Sequence, residues 1–280
     1  MKTQQEEKVS RIKEILKYQD KFLAYQDLPP FLHDLYEKND IDYSSHQLAW
    51  DKPRLDWMFK ALPTTIKTAV EVGSSLGYFS LMLSHERAIN VTAFEPVIEY
   101  AELSNILASL GNLEEKAYFH GTGVTLRDIF QLPDSDLHVS LNVLHHAGNF
   151  YDSEEVKAYG SWLEYANAYL TKISEKFPFL IFQCGNSARG VAHFEGEQAV
   201  DVLVKLLESS GYSVRAVGII EDPSKITYSS YSRDELEHAP RISCARNPKT
   251  DLVDYFKDKL YIGSYKYGTL QRPIFFCQKK

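Results

Sequence analysis

The sequence predicts an α/β fold in which short apolar strands alternate with amphipathic helices, the pattern of a mostly parallel sheet with its ligand at the strand ends. Three observations carry that expectation. The stretch Thr68–Ser80 runs from a β-prone segment (Ala69, Val70, Val72) through Gly73 and Gly77 into the amphipathic start Tyr78-Phe79-Ser80-Leu81. A second strand, Val91 to Phe94, follows and ends on Glu95. From there to Ile220, apolar runs and helical periodicities keep alternating.

The first turn is informative about ligand type. Glycines let a ligand lie against the backbone, and free N–H groups at the helix start favour polar or anionic groups. The spacing is not the G-x-G-x-x-G of a dinucleotide fold, and no Gly-Lys-Ser/Thr follows as in a phosphate-binding loop. Carboxylates stand at the strand ends instead: Glu71 before Gly73, and Glu95 closing the next strand. An acid at that second place suits a ribose diol, held by two charge-assisted hydrogen bonds. A plain connection whose glycines serve packing is the alternative, and it leaves both acids unexplained.

On these residues the sequence resembles the class I S-adenosylmethionine-dependent methyltransferases. Their acid-x-Gly-x-x-x-Gly turn is matched by Glu71, Gly73 and Gly77, and their second acid by Glu95. The resemblance implies a Rossmann-like seven-stranded methyltransferase sheet with strand 7 antiparallel, helices on both faces, and S-adenosyl-L-methionine as cofactor, leaving as S-adenosyl-L-homocysteine. It places cofactor contacts at Glu71, Gly73, Ser74, Gly77, Tyr78, Phe79, Glu95, Pro96, Thr122, Asn142 and Arg54. Residues 1–62 would form an N-terminal helical cap, and 63–280 the catalytic domain, with 221–271 a substrate-side insertion.

Along the chain, Val9, Ile12, Ile15 and Leu16 recur at helical spacing, and Pro29-Pro30 separates that helix from Phe31–Tyr36. The aromatic-rich stretch Tyr43–Trp57 has two readings. As part of a lid, it brings Arg54 to the methionine carboxylate; otherwise Trp50 and Trp57 anchor the core and Arg54 is solvated. A helix over Tyr100–Leu110 stops at Gly111-Asn112. The strand Ala117–His120 then opens onto Gly121-Thr122-Gly123, where the family places the adenine. No acid stands there, which leaves recognition to backbone groups.

The fourth strand, Asp136 to Asn142, runs into Val143-Leu-His145-His146, similar to the strand-4 segment of several methyltransferase groups. Histidine titrates near neutral pH, so His145 or His146 is the candidate base for an acceptor hydroxyl. Adjacent residues point apart and no third ligand is evident, so the pair is not read as a zinc site. Asn142 either approaches the cofactor or satisfies backbone groups. Residues 153–176 read as one helix with Trp162, Leu163, Tyr165, Ala166, Tyr169 and Leu170 on one side. After the strand Phe177–Phe182, the loop Gln183–Gly190 offers Asn186 and Arg189 for an acceptor hydroxyl or anion, or is simply a solvated loop. Val200–Leu207 fits a helix, Tyr212–Ile220 strand 6, and Pro273–Gln278 the last strand. The connection between these strands holds Tyr228, Tyr231, Tyr255, Phe256, Tyr261, Tyr265 and Tyr267 with Arg233, Arg241 and Arg246. These residues either stack on a sugar or base, or form a small helical insertion packed on the sheet.

Composition limits the function classes. The chain has 280 residues, 44% hydrophobic and 25% charged, with net charge −7. It lacks the overall basic field that nucleic-acid binding uses. Cys184, Cys244 and Cys277 are far apart, suiting a reducing compartment and giving no metal-ligand spacing. No apolar run approaches the roughly 18 residues of a membrane span, and the first residues lack an apolar signal segment. Cytoplasmic residence is the expectation. No Asn/Asp-Pro-Pro-Tyr/Phe signature follows strand 4 and no nucleophilic Cys pair occurs, which favours O-methylation. The Leu76–Leu81, Val143–His146 and Pro53–Asp56 segments are similar to bacterial methyltransferases acting on surface-polysaccharide sugars or their terminal phosphate. The expected partner is therefore a small-molecule or saccharide acceptor. A tRNA-modifying methyltransferase and a non-catalytic S-adenosylmethionine-binding protein stay open as alternatives. An NAD-dependent oxidoreductase fits less well, because the dinucleotide glycine pattern is missing.

Overall fold

The computed structural model describes residues 3–18, 26–41, 51–189, 191–195, 198–221, 227–239 and 272–280. The expectations at Tyr43 to Trp50, Gly190, Cys244, Arg241, Arg246, Tyr255, Phe256, Tyr261, Tyr265 and Tyr267 lie outside the described residues. The chain forms two compact units, one of residues 1–55 and 64–124, the other of 56–63 and 125–280.

The first unit contains α1 (Gln4–Tyr18), a 3₁₀ turn (Pro30–Leu32) running into α2 (His33–Lys38), and the start of α3 (Asp51–Ala61). Next come β1 (Thr68–Val72), α4 (Tyr78–Arg87), β2 (Asn90–Phe94), α5 (Ile98–Leu110) and β3 (Ala117–His120). β2 is the middle strand, parallel to both β1 and β3. Ala69 to Val72 are all buried, as expected for a parallel strand covered on both faces. The apolar stripe of α1 is real: Val9, Ile12 and Ile15 join Leu103 and Leu107 of α5 in one buried cluster. At its rim Arg11 grips Glu102 through two hydrogen bonds of 2.7 Å each.

The second unit holds the rest of α3, then β4 (Leu137–Leu141), α6 (Ser153–Tyr159), α7 (Trp162–Lys176) and β5 (Phe179–Gln183). A small hairpin follows, β6 (Ser187–Ala188) with β7 (Val191–Ala192), then α8 (Ala199–Ser209), β8 (Tyr212–Ile220), β9 (Tyr228–Tyr231) and β10 (Ile274–Lys279). β4 and β5 are parallel, and β10 lies antiparallel between β5 and β8, as expected of the last strand. Trp57 is a core anchor: a Cβ on Gly218 of β8 would lie 2.8 Å from its indole.

Four details depart from the sequence expectations. Among the described residues the main strands number eight rather than seven, because Tyr228–Tyr231 pairs antiparallel with β8. The first part of the 221–271 connection is thus a strand, not a helix. Residues 153–176 form two helices, because Gly160 takes φ +81 and Ser161 starts α7 as an N-cap, its hydroxyl accepting the Glu164 amide at 3.2 Å. Leu163 leaves the buried face and is 38% exposed. β4 stops at Leu141, since Asn142 turns into the left-handed region at φ +62 and Leu144–His146 coil into a 3₁₀ turn.

Candidate functional site

In the first unit, the turn from β1 to α4 is held by acids and amides from distant parts of the chain. Gly73 (φ +74), Ser75 (φ +51) and Gly77 (φ +78) bend it. Most of its N–H groups are taken. Gly73 and Ser74 donate to the Phe94 carbonyl at 2.8 and 3.2 Å, and Gly77 to the Ser74 carbonyl at 2.9 Å. Ser75 donates to Glu95 Oε2 at 2.7 Å and Tyr78 to Gln26 Oε1 at 3.1 Å. Ser80 gives both its amide and its hydroxyl to Glu71. The expectation of free donors waiting for an anion is corrected for these six amides, while the Leu76 and Phe79 amides have no acceptor among the described residues. Side-chain oxygens from β1, the end of β2 and residue 26 take most of the donors at the helix start, so the turn offers a pyrophosphate fewer donors than its glycines suggest.

Glu95 is nearly buried and clasps the chain on both sides, with Oε2 on the Ser75 amide and Oε1 on the Val97 amide at 3.0 Å. Each oxygen keeps a second lone pair. Burial raises its pKa, against the two amide bonds that lower it. Burial likewise pushes the Glu71 carboxyl up to about 8, with the Ser80 bonds pulling the other way. Gly77 serves packing, since a Cβ there would sit 2.7 Å from Ser104 Oγ and 2.8 Å from Phe119. Ser74 Oγ is enclosed without a hydrogen-bond partner among the described residues.

Arg54 is not the solvated residue of the second sequence reading. It is 9% exposed, paired with the buried Asp51, and its guanidinium lies 5.1 Å from the centre of the Phe79 ring. Asp51 also accepts the Asp27 amide at 2.6 Å. Burial raises the Asp51 pKa, while Arg54 and the Asp27 amide lower it. Tyr78 and Phe79 are buried edge to face. Pro96 and Thr122 are exposed at the ends of β2 and β3, and beside Pro96 the apolar Val97 and Ile98 are 39% and 66% exposed.

In the second unit, the ends of β4, β5 and β10 meet in a polar network. Asn142 gives its backbone amide to the Gln183 carbonyl at 2.7 Å and its Nδ2 to Gln183 Oε1 at 2.9 Å. Its Oδ1 receives Arg272 Nη1 at 2.7 Å. Gln183 Nε2 donates to the Arg272 carbonyl at 2.9 Å and to Tyr228 Oη at 3.1 Å. Gly185 lies against both the Arg272 guanidinium and the His145 ring, leaving no room for a Cβ.

His145 and His146 do not point apart. In the 3₁₀ turn strand alternation does not apply, and the rings lie 4.0 Å apart. His145 Nδ1 accepts the Gly185 amide at 3.3 Å, which puts the proton of the neutral ring on Nε2. Its carbonyl receives His193 Nε2 at 2.8 Å, and His193 stacks on Trp162 at 4.4 Å. Burial lowers the pKa of all three histidines, that of His146 to about 4, with Arg272 adding to the shift at His145 and His146. Asn186 is buried and its Nδ2 reaches the Phe194 carbonyl at 3.3 Å. Arg189 is exposed at φ +47, with its guanidinium 4.4 Å from the centre of the Phe150 ring.

Sequence reasoning singled out neither Gln26, Asp51, Arg272 nor His193. Only Asp51 had a local signal, its i,i+3 spacing to Arg54. Gln26 meets its partner across 52 residues and Arg272 across 130, so no local pattern marks them.

No protein-family model matches the chain, and no curated protein sequence does. Solved structures do share its fold. StiE O-MT (residues 942–1257) matches with a TM-score of 0.53 at 13% identity, over 98% of this chain and 90% of that one. The O-methyltransferase of a trans-AT PKS multienzyme of Brevibacillus brevis, in complex with S-adenosyl-L-homocysteine, matches with a TM-score of 0.51 at 14% identity, over 91% and 82%. WbdD, in a co-crystal structure with a kinase inhibitor, matches with a TM-score of 0.51 at 13% identity, over 96% and 68%. In another alignment to WbdD, described as a bifunctional kinase-methyltransferase, the chain spans 35% of that protein's length. The fold is therefore the α/β fold of S-adenosylmethionine-dependent methyltransferases, and at these identities the likeness extends to the fold alone.

Proposed function

We propose that the chain is an S-adenosylmethionine-dependent methyltransferase that O-methylates a sugar hydroxyl or a phosphate of a polysaccharide or another small polar acceptor. The observation that carries this reading is the turn closed by Glu71 and Glu95, most of whose N–H groups are taken by protein oxygens. Such a turn disfavours a pyrophosphate, which weighs against NAD. The spare lone pairs of Glu95 suit the two hydroxyls of a ribose. The exposed apolar pair Val97 and Ile98, beside Pro96 and Thr122, suits a flat base. The buried ring of Phe79 and the Arg54–Asp51 pair support the turn from α4 and α3.

The bound cofactor would supply an electrophilic sulfonium methyl. The chain's own residues bind and orient. On the acceptor side we place His145, His146, Asn186 and Arg189, with Asn142 held in place by Gln183 and Arg272. His146, uncharged and pushed to about 4, is a weak base at neutral pH. That suits an acceptor oxygen already ionised, as in a phosphate, better than a sugar hydroxyl. It also favours a second reading, a protein that binds the cofactor without transferring its methyl. No helix among the described residues is long and apolar enough to cross a membrane.

The test is calorimetric titration with S-adenosylmethionine and, separately, NAD, repeated with Glu95→Ala. Micromolar binding of the first alone, weakened roughly tenfold or more by the substitution, is the expected result. Absence of S-adenosylmethionine binding would refute the proposal. Methyl transfer to phosphorylated sugars then separates the catalytic reading from the binding-only one.

A further inference from the structure

Gln26 has no task in the reading above, yet it is built into the same turn. It is 6% exposed and accepts the Tyr78 amide at the first residue of α4. A backbone N–H can only donate, so this bond identifies which end of the carboxamide is oxygen and turns the NH₂ group the other way. That nitrogen has no hydrogen-bond partner among the described residues. Both of its donors are therefore held in a fixed direction with no acceptor among the described residues.

Its surroundings say which ligand group those donors would take. The next residue, Asp27, donates its amide to Asp51, and Asp51 holds Arg54, so the nearby guanidinium is matched by a buried carboxylate. Glu71 and Glu95 close the turn with further acceptor oxygens. The carboxamide of Gln26 is a neutral, preoriented donor among these acids, the kind of group that holds an oxyanion without adding charge. We propose that Gln26 binds the carboxylate at the amino-acid end of the cofactor, reading it through Nε2 while Oε1 stays fixed on Tyr78. This rests on the cofactor reading above. Arg54 then supports the site through Asp51.

The test uses two thioether nucleosides that lack the sulfonium charge, S-adenosyl-L-homocysteine and 5′-methylthioadenosine, of which only the first carries the amino-acid end. Gln26→Glu keeps an acceptor for the Tyr78 amide and replaces the donor with a second negative oxygen. Calorimetry should show S-adenosyl-L-homocysteine weakened roughly tenfold or more, with 5′-methylthioadenosine within about twofold of the parent. The thermal midpoint shows that the variant is folded, and Gln26→Met, with neither donor nor acceptor, should also discriminate between the two nucleosides. Equal weakening of both nucleosides, or weakening of neither, overturns the assignment. If the unaltered protein binds neither nucleoside, the cofactor reading itself fails, and that outcome is distinct.

Discussion

His138 sits in β4, 1% exposed, with its ring 4.9 Å from that of Phe177 and no hydrogen-bond partner for either nitrogen among the described residues. Burial lowers its pKa from 6.5 to about 3. Between those values the unfolded chain binds a proton that the folded chain refuses. The stability linked to this group is therefore fully present above pH 6.5 and is lost as pH falls towards 3. Each pH unit well inside that window is worth about 1.4 kcal/mol, so going from pH 8 to pH 5 removes about 2 kcal/mol. His138→Leu deletes both the titration and the two unsatisfied nitrogens. An unpartnered buried polar group costs roughly 1–3 kcal/mol, and imperfect packing of the new side chain offsets part of that gain. The variant should be more stable than the parent by about 1 kcal/mol at pH 8, and by about 3 kcal/mol at pH 5. Urea unfolding followed by circular dichroism at the two pH values measures both differences. A variant whose advantage does not grow between pH 8 and pH 5 would refute the assignment of His138 as a neutral, unsatisfied core histidine.

Three further outcomes follow from single contacts. Gly77→Ala forces a side chain into φ +78 and against Ser104 and Phe119, so it should cost about 2 kcal/mol or more, and a melting point unchanged within error would contradict the turn geometry. Ser161→Ala removes the N-cap of α7 and should lower stability by about 1 kcal/mol in the same assay. Arg272→Met removes a positive charge beside His145 and His146, so the His146 midpoint should rise from about 4 while staying below 6.5, because burial is the larger cause. Histidine ring resonances followed by NMR across pH would show this, and an unmoved midpoint would rule the coupling out.

Much of the fold was legible in the residues. The run Thr68–Val72, the helix stop at Gly111, the strand Tyr212–Ile220 and the antiparallel last strand each follow from local pattern or family resemblance, and the structure has them. Errors fell where one residue's backbone angle decides. Gly160 breaks a helix that periodicity alone continues, and Asn142 ends a strand three residues before the first histidine. An αL residue inside an apolar pattern leaves no mark on that pattern.

The sequence by itself determined which segments are strands and helices and that acids close the first two strands, because period, glycine spacing and residue type are local quantities. Only the tertiary structure decided what those acids do. Glu71 and Glu95 turn inward onto Ser80, Ser75 and Val97, and Gln26 fills the helix start that looked open to an anion. Arg272 reaches Asn142 across 130 residues, and the His145 ring lies 4.0 Å from that of His146 in a turn rather than alternating with it along a strand. Hydrogen-bond partners are chosen by proximity in three dimensions and by the cost of leaving a buried donor unpaired, and neither is written in the order of residues along the chain.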